Sequence, residues 1–128
     1  KPLYYALVKP YQGVSTADAF SRYRESAHVS IDTVQYALLK CDVELFSRYA
    51  GNALGMAALS AAPDILKAAE ALKLAGGAKA FMTGSGSAVF SVFENEQDVR
   101  RAAENVKGDF ELCGAFRAAD TGVEITGE

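Results

Sequence analysis

The chain has no tryptophan, one histidine, two cysteines and three prolines in 128 residues. Each shortage closes a class of function. A structural zinc site needs about four clustered Cys or His ligands. His28, Cys41 and Cys113 lie far apart and form no CxxC pair, so no metal site is expected. Two scattered thiols cannot build the disulfide framework of a small secreted domain and fit a reducing cytoplasm. No apolar run reaches the roughly 18 residues of a transmembrane helix, so no membrane partner is expected. A stretch of one charge sign is missing too. Thirteen Lys and Arg are interspersed with 16 Asp and Glu, for a net charge of −3. A nucleic-acid partner would need a basic stripe along its phosphates, and none is expected.

What is present is a chain 50% apolar, enough for the core of one compact domain. It opens with neither Met nor a basic leader but almost at once with "LYYALV". That start leads us to expect a fragment of a longer protein.

The elements can be read from their punctuation. "LYYALVKP" is strand-like, with Tyr4, Ala6 and Val8 on one side and Leu3, Tyr5 and Leu7 on the other. Pro10 stops it, since proline cannot donate to a ladder. Gly13 suits a turn, and Ser15 or Thr16 an N-cap for the helix that follows. Ser30 or Asp32 caps the next helix, with Val34, Leu38 and Leu39 as its apolar positions; Asp42 caps "VELFSRYA", and Asn52 caps "ALGMAALSA". Pro63 starts "PDILKAAEALKLA", whose buried stripe should be Leu66, Ala69 and Leu72 with Ile65 alongside, before the stop at Gly76 and Gly77. "AKAFMTG" and "SAVFSVF" read as two strands, and "FELCGAFRA" as a last one. Between them Asn95 caps a helix that turns Val99, Ala102, Ala103 and Val106 to one face. This order predicts an α+β domain: a ferredoxin-like antiparallel sheet of about four strands, with helices packed on one face.

The stretch "FMTGSGSAVFSVF", residues 81 to 93, carries the chemical question. Two strands are joined by Gly84, Ser85, Gly86 and Ser87. Glycines permit positive φ and leave no Cβ between backbone N–H groups and an anion. They also simply make hairpins turn. No Gly-Lys-[Ser/Thr] follows, so this is not a Walker A loop. Thr83, Ser85 and Ser87 supply more hydroxyls than a turn requires, and composition goes no further.

The motif "MTGSGSAVFSVF" resembles the third motif of the GHMP kinases, small-metabolite kinases named for galactose, homoserine, mevalonate and phosphomevalonate. "YYALVKPYQGVSTADAF", "GNALGMAAL" and "AKAFMTGSGSAVFSVF", in this order, are similar to the branch of that family acting on 4-diphosphocytidyl-2-C-methyl-D-erythritol in non-mevalonate isoprenoid synthesis. The resemblance runs from Leu3 to about Arg117.

It implies that residues 1–128 form the C-terminal domain of a two-domain, ATP-dependent kinase with its site between the domains. Gly84, Ser85, Gly86 and Ser87 would face the ATP phosphates. Val14 to about Ala19 would border the cytidyl substrate, and we assign that pocket to Tyr11, Gly13, Val14, Ser15, Thr16 and Asp18. The family's main phosphate loop, the Lys and Asp that handle the hydroxyl proton, and most of the hold on ATP and Mg2+ belong to the N-terminal domain. That domain is the expected partner. No catalytic group is assigned to this chain, which should be inactive alone. The chain departs from the family at Ser87 and, around Ala53 and Gly55, in lacking an acidic pair, which leaves Asn52 as a helix cap.

Other polar residues have plainer readings. His28 lacks an evident carboxylate partner, while Lys9, Arg22 and Arg24 read as solvated charge. Tyr11, between Pro10 and Gly13, is placed to stack on a nucleobase. Two alternatives remain: another GHMP kinase, of homoserine or mevalonate type, and a non-catalytic ferredoxin-like ligand-binding module.

Overall fold

The computed structural model describes residues 3–13, 15–22, 31–52, 62–77, 79–84 and 86–119. Among the described residues, four strands and five helices follow in the order β1 (Tyr4–Lys9), α1 (Thr16–Ser21), α2 (Ile31–Leu39), α3 (Val43–Tyr49), α4 (Asp64–Leu74), β2 (Phe81–Met82), β3 (Val89–Phe93), α5 (Glu96–Val106) and β4 (Leu112–Arg117). The strands form one antiparallel sheet ordered β2-β3-β1-β4. In the register, Ala6 of β1 faces Ser91 on one side and Ala115 on the other. This is the α+β sheet of ferredoxin-like plan that the strand order predicted.

Alternation along the strands divides the core. Ala6, Val8, Met82, Val89 and Phe93 point to one face, where α4 brings Ile65, Ala68 and Leu72 and α5 brings Val99, Ala102 and Val106. Leu72 is fully buried in this layer, and truncating such a side chain to alanine costs about 2–5 kcal/mol. A buried hydroxyl of this face, on Ser91, donates to the Lys79 carbonyl at 2.8 Å. The strand pattern placed helices on that face. The structure adds a smaller layer on the other, where Ala37 of α2 and Val43 and Phe46 of α3 cover Phe81 and Val92. Phe46 meets Phe81 edge to face, with ring centroids 5.5 Å apart.

The caps follow the sequence closely. Ser15 accepts from the Asp18 amide, Asp42 from Leu45 and Asn95 from Asp98, at 2.9, 2.9 and 2.8 Å. Each satisfies a first-turn N–H that the helix itself cannot. Asp32 instead lies within the first turn of α2; Ser30 lies outside the described residues.

Three expectations need correction. Leu66 is 47% exposed and Ala69 only part-buried, and Ala68 takes their place in the buried stripe of α4, because a small side chain lets the helix lie close against the sheet. In α2, Ala37 is the buried position while Leu38 and Leu39 are exposed. The strand expected over "AKAFMTG" is, among the described residues, a strand at Phe81–Met82. The helix expected after Asn52 lies outside the described residues.

Candidate functional site

The glycine segment is a hairpin. The Thr83 amide donates to the Ala88 carbonyl at 2.9 Å, extending the β2–β3 ladder by one pair, and the Gly86 amide turns back to the Thr83 carbonyl at 2.9 Å. Gly84 and Gly86 both have positive φ, at 50° and 94°, a conformation that favours glycine for backbone reasons. At Gly86 there is a second reason: a Cβ there would lie 2.8 Å from Met82 Sδ and 3.6 Å from Ile65 Cδ1. The turn reading and the packing reading are thus both satisfied before any ligand is considered.

One feature of the loop is not satisfied. Ser87 is 4% exposed, and its Oγ finds no hydrogen-bond partner. A buried hydroxyl without a partner is costly, by about 1–3 kcal/mol. Among the described loop residues, Ser87 thus carries a buried side-chain hydroxyl with an unmet demand for a partner. Ser85 lies outside the described residues.

The first segment assigned to the substrate reaches the same end of the sheet. Val8 pairs with Val89, so the chain leaving β1 at Pro10 and the loop entering β3 at Ser87 are neighbours across the ladder. The first turn of α4 underlies both. Its Asp64 amide donates to Gln12 Oε1 at 3.4 Å, and Ile65 sits beneath Gly86. Tyr11 is 70% exposed and Gly13 stands in open space without a left-handed φ. The structure therefore gives Gly13 no turn that glycine alone can make. Ser15 caps α1, and Asp18 pairs with Arg22, Oδ1 to Nε, at 3.1 Å. Arg22 is thus engaged within its own helix. Val14, Arg24 and His28 lie outside the described residues, as does the side chain of Thr16. Lys9 binds Glu111 across the β1–β4 edge and also reaches the Pro10 carbonyl at 3.3 Å, so it is not a free strand-end cation.

Sequence reasoning missed Asn52. Its Nδ2 donates to the carbonyls of Met82, at 2.8 Å, and Gly84, at 2.6 Å. The expected role was a local cap for a helix that lies outside the described residues; these bonds in addition hold the start of the glycine loop. No local signal exists for a partner 30 residues away. Beneath the same corner a cavity of about 340 Å³ is lined by Asn52, Ile65, Met82 and Val89 among others.

This end of the domain combines a glycine hairpin, an unpaired buried hydroxyl and an exposed aromatic segment. Such a surface can receive an anion and a planar group. Among the described residues, no three His, Cys, Asp or Glu side chains gather into a metal cluster, and no helix is long and apolar enough to cross a membrane.

Comparison with known proteins gives this geometry a context. The family model described as GHMP kinases C terminal matches residues 34–112. Over 110 residues the chain is 33% identical to a Streptococcus agalactiae protein provisionally named 4-diphosphocytidyl-2-C-methyl-D-erythritol kinase, covering 84% of this chain and 39% of that one. The kinase of the same name from Geobacillus kaustophilus is 28% identical over 118 residues, covering 91% and 41%. The chain thus spans about two-fifths of the length of these relatives. Among solved structures, a 4-(cytidine 5'-diphospho)-2C-methyl-D-erythritol kinase superposes with a TM-score of 0.76 at 22% identity, covering 91% of this chain and 43% of the other. A homoserine kinase from Cytophaga hutchinsonii gives 0.67 at 19%, covering 91% and 41%. At these identities the structural likeness speaks for the fold alone.

Proposed function

The chain belongs to the GHMP kinase family, whose C-terminal model it matches, and we propose that it is the C-terminal half of an ATP-dependent kinase. The kinase phosphorylates a hydroxyl of 4-diphosphocytidyl-2-C-methyl-D-erythritol in cytoplasmic isoprenoid synthesis. The observation that carries the reading is the glycine hairpin with its buried, unpartnered Ser87 hydroxyl beside the chain that leaves β1 toward Tyr11 and Gln12. The names of the curated relatives support the choice of substrate.

In this reading Gly84, Ser85, Gly86 and Ser87 line the approach of the ATP phosphates. Glycine keeps the backbone accessible, and the Ser87 hydroxyl donates to a phosphate oxygen, gaining the partner it otherwise lacks. Tyr11, Gly13, Val14, Ser15, Thr16 and Asp18 border the cytidyl substrate, with Tyr11 stacking on the base. The substrate hydroxyl oxygen attacks the γ-phosphorus, the bond to the ADP oxygen breaks, and the hydroxyl proton leaves to a base. That base, the neutralising lysine and the holders of Mg2+ are assigned to the N-terminal domain, as the family resemblance implies; among the described residues no three carboxylate, His or Cys side chains gather near the loop. This chain positions and screens; it does not take the proton.

The alternative within the family is a kinase for another alcohol, of homoserine or mevalonate type. The parent polypeptide tests the kinase reading. A Gly-Leu-Gly-Ser-Ser phosphate loop upstream of Lys1 is expected, and its absence would point to a ligand-binding module. The 128-residue chain should release no ADP above background from ATP and the cytidyl substrate. Turnover that survives repurification would overturn the division of labour.

A further inference from the structure

We infer that Asn52 is a positioning residue: it holds the glycine loop in the shape that receives phosphate. The inference rests on the kinase reading for what the loop receives, and on geometry for how the loop is held. β2 is the edge strand of the sheet and is only two residues long. The Thr83 amide donates to the carbonyl of Ala88, just before β3, so by alternation the Met82 carbonyl points away from β3, toward the open edge, and the Gly84 carbonyl in the turn faces the same side chain. Edge carbonyls of this kind ordinarily meet water or another strand. Here one side-chain nitrogen meets both, at 2.8 and 2.6 Å.

Along an extended strand, alternate residues are roughly 7 Å apart. The turn at Gly84, with φ of 50°, brings their carbonyls within reach of a single NH₂ group, whose two hydrogens are then used. Asn is suited to this because its amide carries two donors on one atom. The remaining bonds that shape the loop, from Thr83 to Ala88 and from Gly86 to Thr83, are internal to the hairpin. Asn52 ties the hairpin to the body of the domain from outside, just after α3. Without it, the loop keeps its turn but loses its fixed direction.

The test uses the whole kinase, with Asn52→Ala and the isosteric Asn52→Asp, which keeps the volume and removes both donors. Hydrogen exchange of the segment spanning residues 82 to 88 is followed without nucleotide, together with the Michaelis constants for ATP and the alcohol, kcat and Tm. Both variants should speed exchange in this segment by about tenfold and raise the ATP constant by a similar factor. The alcohol constant and kcat at saturating ATP should stay within twofold. Faster exchange with an unchanged ATP constant would support the tether and overturn the phosphate role of the loop. Unchanged exchange in either folded variant would overturn the tether, whatever the kinetics.

Discussion

Met82 Sδ lies 2.8 Å from the place where a Cβ on Gly86 would stand. Glycine at this position is therefore required by the hairpin itself, in addition to any ligand. With φ at 94°, Gly86→Ala should destabilise the protein by about 1–3 kcal/mol. Gly84 is different: its φ of 50° is left-handed helical and nothing lies within 4 Å of its Cβ position. Gly84→Asn should be nearly neutral in thermal denaturation, because Asn tolerates that conformation. If the loop faces phosphates, the same substitution still raises the ATP Michaelis constant several-fold. An unchanged constant in the stable Gly84 variant would reduce the glycines to turn residues.

Ser87 gives a prediction of opposite sign. Its hydroxyl is buried and unpaired, so Ser87→Ala should raise stability without nucleotide by about 1 kcal/mol. The rise in Tm on adding ATP should shrink. A variant that is less stable but keeps its full response to ATP would show that the hydroxyl has a partner within the protein.

For Ser15 the structural and functional effects can be separated. The cap bond to the Asp18 amide predicts a loss of about 1 kcal/mol for Ser15→Ala. The proposed pocket adds weaker binding of the cytidyl substrate with ATP binding nearly unchanged, read by titration of the full-length kinase with each ligand. Equal losses for both ligands would place the segment outside the substrate pocket.

Cys113 supplies a pH dependence. Burial, with a smaller push from Glu104 against a pull from Lys107, raises its thiol above the ordinary value. Its Sγ also donates to the Ala103 carbonyl at 3.3 Å. Because the folded state favours the neutral thiol, the associated stability is present below the ordinary thiol pKa and fades as pH rises through the raised one. Alkylation of Cys113, followed by mass spectrometry, should set in at higher pH than for a free cysteine peptide. A coincident profile would contradict the raised affinity for the proton that partial burial gives this thiol.

What the sequence made legible was chiefly local. Ser15, Asp42 and Asn95 cap the helices they precede, since a cap needs only a side chain and an amide three residues on. The face of α5 was readable because Val99, Ala102 and Val106 stand among charged neighbours. In α4, Ile65, Leu66, Ala68 and Ala69 offer two apolar stripes of similar period, and only the close sheet chooses the one with Ala68. α2 is similar, for Ala37 is selected by packing in the second layer rather than by size. At the candidate site the loop itself could be read, but its tether could not. Asn52 and the carbonyls it binds come together only when the sheet edge forms.

The most direct measurement is turnover by the full-length protein offered ATP with 4-diphosphocytidyl-2-C-methyl-D-erythritol, homoserine and mevalonate in separate reactions, with ADP and the phosphorylated product both quantified. The account predicts stoichiometric ADP and phosphorylated cytidyl product, and only background with the other two alcohols. Phosphorylation of homoserine or mevalonate without the cytidyl substrate would contradict the proposed activity while leaving the family and the fold in place.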